Sequence, residues 1–178
     1  MGGSVFPGLE VRPLGPDDRD RMALMFGRLS FESRVMRFNT PKPRLTPREL
    51  AYLTDVDHVH HVALAAVDRR DGSIIGTARY VREAHRPWVA EVAMEVIDEH
   101  QNRGIGTALA AAVIERARDN GLVLLTATTL WDNRPARALL RRLRFRTRAR
   151  TRGELEFELS LEPSPSAPSP SAPCPSAP

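Results

Sequence analysis

The hydrophobic period of the sequence changes at two glycines near its middle, and this change constrains the fold most. Before them, residues 88–97 form an apolar run whose side chains alternate as they do along a β-strand. After Gly104 and Gly106, apolar residues recur at helical spacing; they are Ile105, Ala108, Leu109, Ala112 and Val113. The pattern predicts a strand, a short polar turn and a helix. Because the first turn of a helix has unpaired N–H groups, this turn suits an anion such as a phosphate.

Strand and helix patterns alternate along the rest of the chain. Strands are predicted over residues 9–14, 61–67, 74–81, 88–97, 122–128, 145–150 and 154–161. Helices are predicted over residues 15–26, 30–37, 47–53, 105–119 and 134–143. Asp71 and Gly72 form a hairpin signal between the second and third strands. The chain therefore predicts an α/β fold with a central mixed, largely antiparallel sheet of about seven strands flanked by helices.

Length, charge and cysteine content exclude several classes of protein. The 178 residues fit a single domain over residues 1–162 followed by a short tail. Cys174 is the only cysteine, which excludes an intrachain disulfide framework and a multi-cysteine zinc site. The net charge is +4, from 26 basic and 22 acidic residues, and Lys42 is the only lysine. No apolar run reaches membrane-spanning length and the first residues lack a signal-peptide pattern, so we expect a cytoplasmic protein without a membrane partner.

Residues 163–178 differ in composition from everything before them. They contain only Pro, Ser, Ala and Cys174, with no charge and no large apolar side chain. Such a segment cannot offset its ordering entropy by burial, so we expect a disordered tail that leans toward polyproline II.

Deleting residues 163–178 should leave the thermal unfolding midpoint and cofactor binding nearly unchanged, as calorimetry of the full-length and truncated chains would check. A large fall in the midpoint of the truncated chain would show that the tail docks on the domain.

The glycine turn also carries a family motif. Gln101-x-x-Gly104-x-Gly106 resembles the acetyl-CoA signature of the GCN5-related N-acetyltransferase (GNAT) family, Gln/Arg-x-x-Gly-x-Gly/Ala. It is neither a Rossmann nor a P-loop fingerprint, because Leu109 stands where a third small residue is needed and no Gly-Lys-Ser/Thr occurs. The resemblance implies that this turn binds the pyrophosphate of acetyl-CoA.

A second motif follows, with a predicted strand between the two. Asn133-x-x-Ala136-x-x-Leu139 is similar to the downstream motif of the same family. Four further segments look like its bacterial protein lysine acetyltransferase group; they are residues 30–38, 43–50, 57–64 and 131–135. The resemblance spans nearly all of the predicted domain. It implies the GNAT fold, acetyl-CoA as the acyl donor and no metal.

The resemblance also implies roles for particular residues. Backbone groups of the strand before the turn would hold the pantetheine arm, the turn would hold the pyrophosphate, and an asparagine after the next strand would lie beside the cofactor. The implied cofactor-binding residues are Met94, Glu95, Val96, Gln101, Asn102, Arg103, Gly104, Ile105, Gly106, Thr107, Ala108 and Asn133. The catalytic glutamate of the lysine acetyltransferases falls on Glu91.

Two glutamates are candidates for the base that an amine nucleophile requires. Glu91 and Glu95 share one face of their predicted strand, about 13 Å apart. A carboxylate in an apolar strand is costly unless it is used, and burial raises a carboxyl pKa toward the range of a general base. We rank Glu91 first, because the thioester must lie upstream of the pyrophosphate turn. The alternative interpretation is that Glu91 faces solvent or forms a salt bridge and has no role in the chemistry.

The chain departs from the family at the position of the general acid. Many GNAT members have a tyrosine directly after the leucine of the second motif, and here that position is Leu140. Arg144 also replaces a glycine that is usual in the family. We therefore name no side chain as the acid and expect water to protonate the departing thiolate.

Histidines and arginines suggest two other kinds of site. His58 and His60 share a face if their segment is extended, but no further ligand completes a metal site, so we expect structural histidines.

Nine arginines lie between residues 134 and 152; five of them alternate and would form one basic strand face, namely Arg144, Arg146, Arg148, Arg150 and Arg152. Such a face can bind an acidic protein, the 3′-phosphate of CoA or nucleic acid, or can lie in solvent opposite Glu154, Glu156 and Glu158. Without interleaved aromatic residues we do not expect a nucleic-acid platform.

These observations predict an N-acetyltransferase that passes acetyl directly from acetyl-CoA to an amine. The acceptor is either a protein lysine or a small-molecule amine, and a homodimer is left open. Two alternatives from other classes are a non-catalytic acyl-CoA-binding regulatory module and a nucleic-acid-binding protein that uses the arginine run.

Overall fold

A seven-stranded mixed sheet runs through the centre of the molecule. The computed structural model describes residues 8–38, 40, 42–151 and 153–161. The strands are β1 (Leu9–Pro13), β2 (His61–Asp68), β3 (Ile74–Glu83), β4 (Arg86–Val96), β5 (Leu124–Leu130), β6 (Arg146–Arg150) and β7 (Glu154–Ser160). Their order is β1-β2-β3-β4-β5-β7-β6, and every neighbouring pair is antiparallel except β4 and β5. The predicted fold class is confirmed.

Among the described residues, five α-helices flank this sheet. They are α1 (Arg19–Gly27), α2 (Phe31–Phe38), α3 (Pro47–Thr54), α4 (Ile105–Asp119) and α5 (Arg134–Arg142). A short 3-10 turn at Pro16–Asp18 precedes α1, so the predicted helix over residues 15–26 is divided in two. Local sequence explains where other helices begin. Thr46 caps α3 and exchanges hydrogen bonds with Glu49, and the side-chain oxygen of Asn133 caps α5.

Different helices cover the two faces of the sheet. On one face, Arg79 of β3 donates from Nη1 to the carbonyl oxygen of Leu53 in α3 at 2.9 Å. On the other face, the next residue of β3, Tyr80, accepts a hydrogen bond at its hydroxyl from Asn120 at the end of α4, at 2.6 Å. Helices α2 and α3 therefore cover the first face and α4 the second, where Leu109 packs fully buried.

Strands β4 and β5 separate part of the way along their length. They pair in parallel only where residues 89–91 of β4 face residues 124–126 of β5. Beyond Glu91, β4 stays paired with β3 as far as Val96, whereas β5 stays paired with β7 as far as Leu130. Within the described sheet, the later half of β4 thus has backbone N–H and C=O groups that no neighbouring strand uses on the β5 side. A cleft opens there, and it ends at Glu91.

The prediction of a single basic strand face is wrong. Arg144 lies outside β6 with a left-handed backbone (φ +67°), and a bulge between Thr147 and Ala149 shifts the register of β6 against β7. Because a one-residue slip reverses the direction of every later side chain, Arg150 leaves the face of Arg146 and stacks on the Trp131 ring at 3.5 Å. Arg152 lies outside the described residues.

The predicted tail, residues 163–178 with Cys174, also lies outside the described residues. Within the part of the chain that the structure describes, no helix is long and apolar enough to cross a membrane.

Candidate active site

The glycine turn places an open helix N-terminus at one end of the cleft. Gly104 precedes α4 with a left-handed backbone (φ +82°), and Asn102 is left-handed as well (φ +58°). Among the described residues, no side chain caps this fifteen-residue helix. Its first N–H groups and the positive end of its dipole are therefore available to an anion, as the sequence predicts.

Two glycines allow close packing around this turn. A Cβ atom on Gly106 would lie 3.5 Å from Leu139 of α5 and 3.9 Å from Val96, both ordinary contacts, so the site has room for alanine. A Cβ on Gly76 of β3 would lie only 2.9 Å from the carbonyl oxygen of Glu95, which nothing but glycine permits. Gly76 was not among the predicted site residues, although a glycine inside a strand pattern is the signal that points to such a close approach.

The polar residues predicted to donate to the cofactor differ in what they contact. Gln101 donates from Nε2 to the carbonyl oxygen of Val96 at 3.0 Å, so its side chain fixes the turn to the end of β4. Arg103 is exposed beside the turn and can reach a phosphate. Asn133 uses its oxygen to accept from Ala136 N at 3.1 Å, which assigns it a structural role at the start of α5.

Glu91 lies where β4 and β5 begin to separate. In the sheet register it faces Val81 of β3 on one side and Thr126 of β5 on the other. A pocket of about 270 Å³ opens at this point; its lining residues are Glu83, Glu91, Thr126, Ala127, Thr128, Arg148, Glu156 and Phe157. The Glu91 side chain is exposed, as the alternative of a solvent-facing glutamate has it, and is not buried by the apolar strand around it. Helix α2 instead covers the Glu95 end of this sheet face, where Arg37 pairs with Glu95.

Glu95 is the buried carboxylate of the same strand face, at 7% exposure. It accepts hydrogen bonds from the Thr77 hydroxyl and from Arg37 Nε of α2. Burial alone would raise the pKa of Glu95. The nearby Arg37 and Arg79 guanidinium groups and the hydrogen bonds lower it by more than burial raises it, so the pKa of Glu95 lies below its usual value. A carboxylate held ionised by these partners is a structural anion and a poor proton acceptor.

Arg79 is buried at 3% exposure beside this carboxylate. Its Nη1 donates to Leu53, whereas its Nε and Nη2 atoms have no hydrogen-bond partner among the described residues. Burial lowers the pKa of Arg79 to about 10, against the opposing effect of Glu95. Arg37 is thus the direct partner of Glu95, and Arg79 is a more distant cation.

This difference predicts that two matched substitutions change the free energy of unfolding by different amounts. Arg37→Met should lower the free energy of unfolding by about 2 kcal/mol, because it leaves Glu95 buried with only Thr77 as a direct partner. Arg79→Met should change it by less than about 1 kcal/mol, because two unsatisfied N–H groups disappear with the charge. Urea denaturation of both variants checks this. If Arg79→Met is the more damaging, Arg79 is the main counter-ion of Glu95.

The histidine segment forms a loop. The side chain of Asp57 accepts from the backbone N–H groups of Val59, His60 and His61 at 2.8–2.9 Å, and His60 Nδ1 lies 3.0 Å from the same carboxylate. His58 has a left-handed backbone (φ +57°), so strand alternation does not relate it to His60. Among the described residues, no group of three or more His, Cys, Asp or Glu side chains is placed to hold a metal.

Comparison with known proteins decides the family. Residues 29–145 match the model of the acetyltransferase (GNAT) family. The chain belongs to the GNAT family. This match confirms the resemblance drawn from the two sequence motifs. The GNAT model covers the cleft, the glycine turn and the motif that starts at Asn133.

Individual proteins that are similar to this GNAT chain are acetyltransferases or have the same fold. It is 36% identical over 135 residues to acetyltransferase Pat of Mycolicibacterium smegmatis; the match covers 75% of this chain and 40% of that protein. The crystal structure of the GNAT domain of S. lividans PAT superposes with a TM-score of 0.82 at 32% identity, covering 86% of this chain and 90% of that one. The structure of yncA from Salmonella typhimurium, solved with its cofactor acetyl-CoA, shares the fold at 16% identity (TM-score 0.71, 91% and 99% covered).

One GNAT position is occupied differently in this chain. Leu140, which stands where many members have the acid tyrosine, is buried at 5% exposure in α5. It packs in the hydrophobic core, so it contributes to stability and supplies no proton.

Proposed function

We propose that this chain transfers an acetyl group from acetyl-CoA directly to an amine. One observation carries the proposal: the cleft between β4 and β5 has an uncapped helix N-terminus at one end and the exposed Glu91 carboxylate, with a pocket beside it, at the other. A long donor with an anionic group at one end and a reactive group at the other matches this arrangement.

The donor would lie along β4. Its pyrophosphate would accept hydrogen bonds from the first N–H groups of α4, with Arg103 nearby. Its pantetheine arm would pair with the backbone of Met94–Val96, which has no β5 partner within the described sheet. The same unpaired backbone supplies N–H groups that can polarise the thioester carbonyl.

Glu91 would act as the base. It accepts a proton from the acceptor ammonium through water, which frees the nitrogen lone pair. The nitrogen then bonds to the thioester carbon, the carbon–sulfur bond breaks, and CoA leaves as a thiolate that takes a proton from water. The nitrogen loses its remaining extra proton to solvent. Exposure of Glu91 to the pocket is consistent with proton transfer through water.

A protein lysine is the acceptor that we favour. The pocket beside Glu91 also has the carboxylate of Glu156, whose negative charge attracts an ammonium group, whereas Glu83 in the same lining is paired with Arg86. The sequence segments that look like bacterial protein lysine acetyltransferases support the same choice. A small-molecule amine is the alternative acceptor.

An acetyl-CoA turnover assay across a panel of amines tests the proposal. The panel should contain proteins, lysine peptides, peptides with only an N-terminal amine, and small polyamines, with CoA release and the mass of the product both measured. We expect amine-dependent release of CoA with acetylated product. Tight binding of acetyl-CoA without turnover on any amine would instead indicate a non-catalytic acyl-CoA-binding module.

A further inference from the structure

Helix α2 crosses the cleft without burying any of its side chains fully. It packs against β4 and reaches β5, on the sheet face that carries Glu91 and Glu95. All eight of its residues are at least partly exposed. Phe38 at the end of α2 packs against the hydrophobic core and the Phe26 ring. Because a short helix gains most of its stability from apolar burial, the start of α2 depends on the polar contacts that fix it.

Asp98 supplies three of these contacts from the end of β4. It follows β4 directly, in the 3-10 turn Asp98–His100. Its carboxylate accepts from Ser30 N at 2.9 Å, from the Ser30 hydroxyl at 2.8 Å and from the Ser33 hydroxyl at 2.8 Å. One carboxylate therefore holds both the residue before α2 and the first turn of α2.

Other contacts join the same two segments. Gln101 of the glycine turn lies 3.4 Å from the Ser33 hydroxyl, and Arg28 donates to Glu99 at 3.2 Å. At the other end of α2, Arg37 pairs with Glu95 on β4. Every one of these partners on the sheet side lies within residues 95–101, the segment that leads into the glycine turn.

We infer that Asp98 is a positioning residue that couples occupation of the glycine turn to the docking of α2 over the cleft. The inference rests on the proposed function, since it takes CoA as the ligand of that turn. An anion that orders residues 101–106 also orders the adjacent 3-10 turn, and through Ser30 and Ser33 it orders α2. Because coupling is reciprocal, a docked α2 strengthens CoA binding by the same factor by which CoA favours docking.

Amide hydrogen exchange of the full chain, with and without coenzyme A, tests this inference. In the wild type, saturating CoA should slow exchange in residues 31–38 by about fivefold or more. In Asp98→Asn the carboxylate loses its charge and part of its accepting capacity, so the slowing should fall below about twofold. Asp119→Asn, at the exposed end of α4, is the matched control and should behave as the wild type.

A kinetic measurement separates positioning from a purely structural role. In Asp98→Asn the KM for acetyl-CoA should rise by about fivefold, while kcat at saturating acetyl-CoA should stay within about twofold of the wild type. If Asp98→Asn does not fold, Ser33→Ala, which removes one of the three contacts, takes its place and should show a smaller change of the same sign.

The outcomes distinguish this inference from the proposed function. Binding of CoA that leaves exchange of α2 unchanged in the wild type, or slows it equally in Asp98→Asn, overturns the coupling and leaves the proposed function intact. Failure of the wild type to bind CoA overturns the proposed function and the coupling together.

Discussion

Glu91→Gln should reduce the rate of acetyl transfer by about 10²–10⁴-fold while leaving the affinity for CoA within about threefold. The substitution keeps the shape of the side chain and removes the proton acceptor. Because Glu91 lies at the acceptor end of the cleft, far from the glycine turn, the contacts to the pyrophosphate should survive. Steady-state kinetics together with calorimetric titration of CoA would measure both effects on one preparation.

Two substitutions control for loss of a carboxylate as such. Glu95→Gln should act mainly on stability, because it weakens the buried pair with Arg37. Glu115→Gln, exposed on α4 and on the other side of the sheet, should keep the wild-type rate. If Glu95→Gln abolishes turnover in a folded protein while Glu91→Gln retains it, the wrong carboxylate has been assigned as the base.

Gly106→Val should weaken CoA binding by about 100-fold, the equivalent of losing about two charge-assisted hydrogen bonds. A single Cβ makes ordinary contacts with Leu139 and Val96. We therefore expect the two further methyl groups of valine to crowd these side chains. The first turn of α4 must then move away from β4, and its N–H groups lose their alignment toward the pyrophosphate.

Gly106→Ala is the matched variant for this prediction. It adds only the Cβ that the site accommodates, so CoA affinity should stay within about threefold of the wild type. Far-UV circular dichroism confirms that both variants are folded before titration. Undiminished affinity in folded Gly106→Val would show that the glycine turn is not the phosphate site.

Features determined by neighbouring residues were predictable from the sequence. The capping box at Thr46, the helix that starts after Gly104 and the hairpin at Gly72 depend on contacts within a few residues. The period of the apolar residues also placed nearly every strand and helix within a few positions. The two family motifs follow the C-terminal ends of the parallel strands β4 and β5, so both lie at the open end of the cleft.

Features that depend on distant segments were not predictable in this way. Strand alternation correctly places Glu91 and Glu95 on one face, but the sequence does not state which of them a helix covers. Burial of Glu95 follows from where α2 docks, more than fifty residues earlier in the chain. The polar contacts between Asp98 and Ser30 are equally distant in sequence. The bulge in β6 had no local signal that we recognised, and it removed the predicted basic face.

A crystal structure of the chain with bound CoA is the most direct test of the central claim, that the cleft between β4 and β5 holds the acyl donor with its reactive end at Glu91. The account predicts phosphate oxygens within hydrogen-bond distance of the first N–H groups of α4, the pantetheine arm along Met94–Val96, and the sulfur at the Glu91 end of the cleft. CoA bound outside this cleft, or with its sulfur beside Glu95, would contradict it.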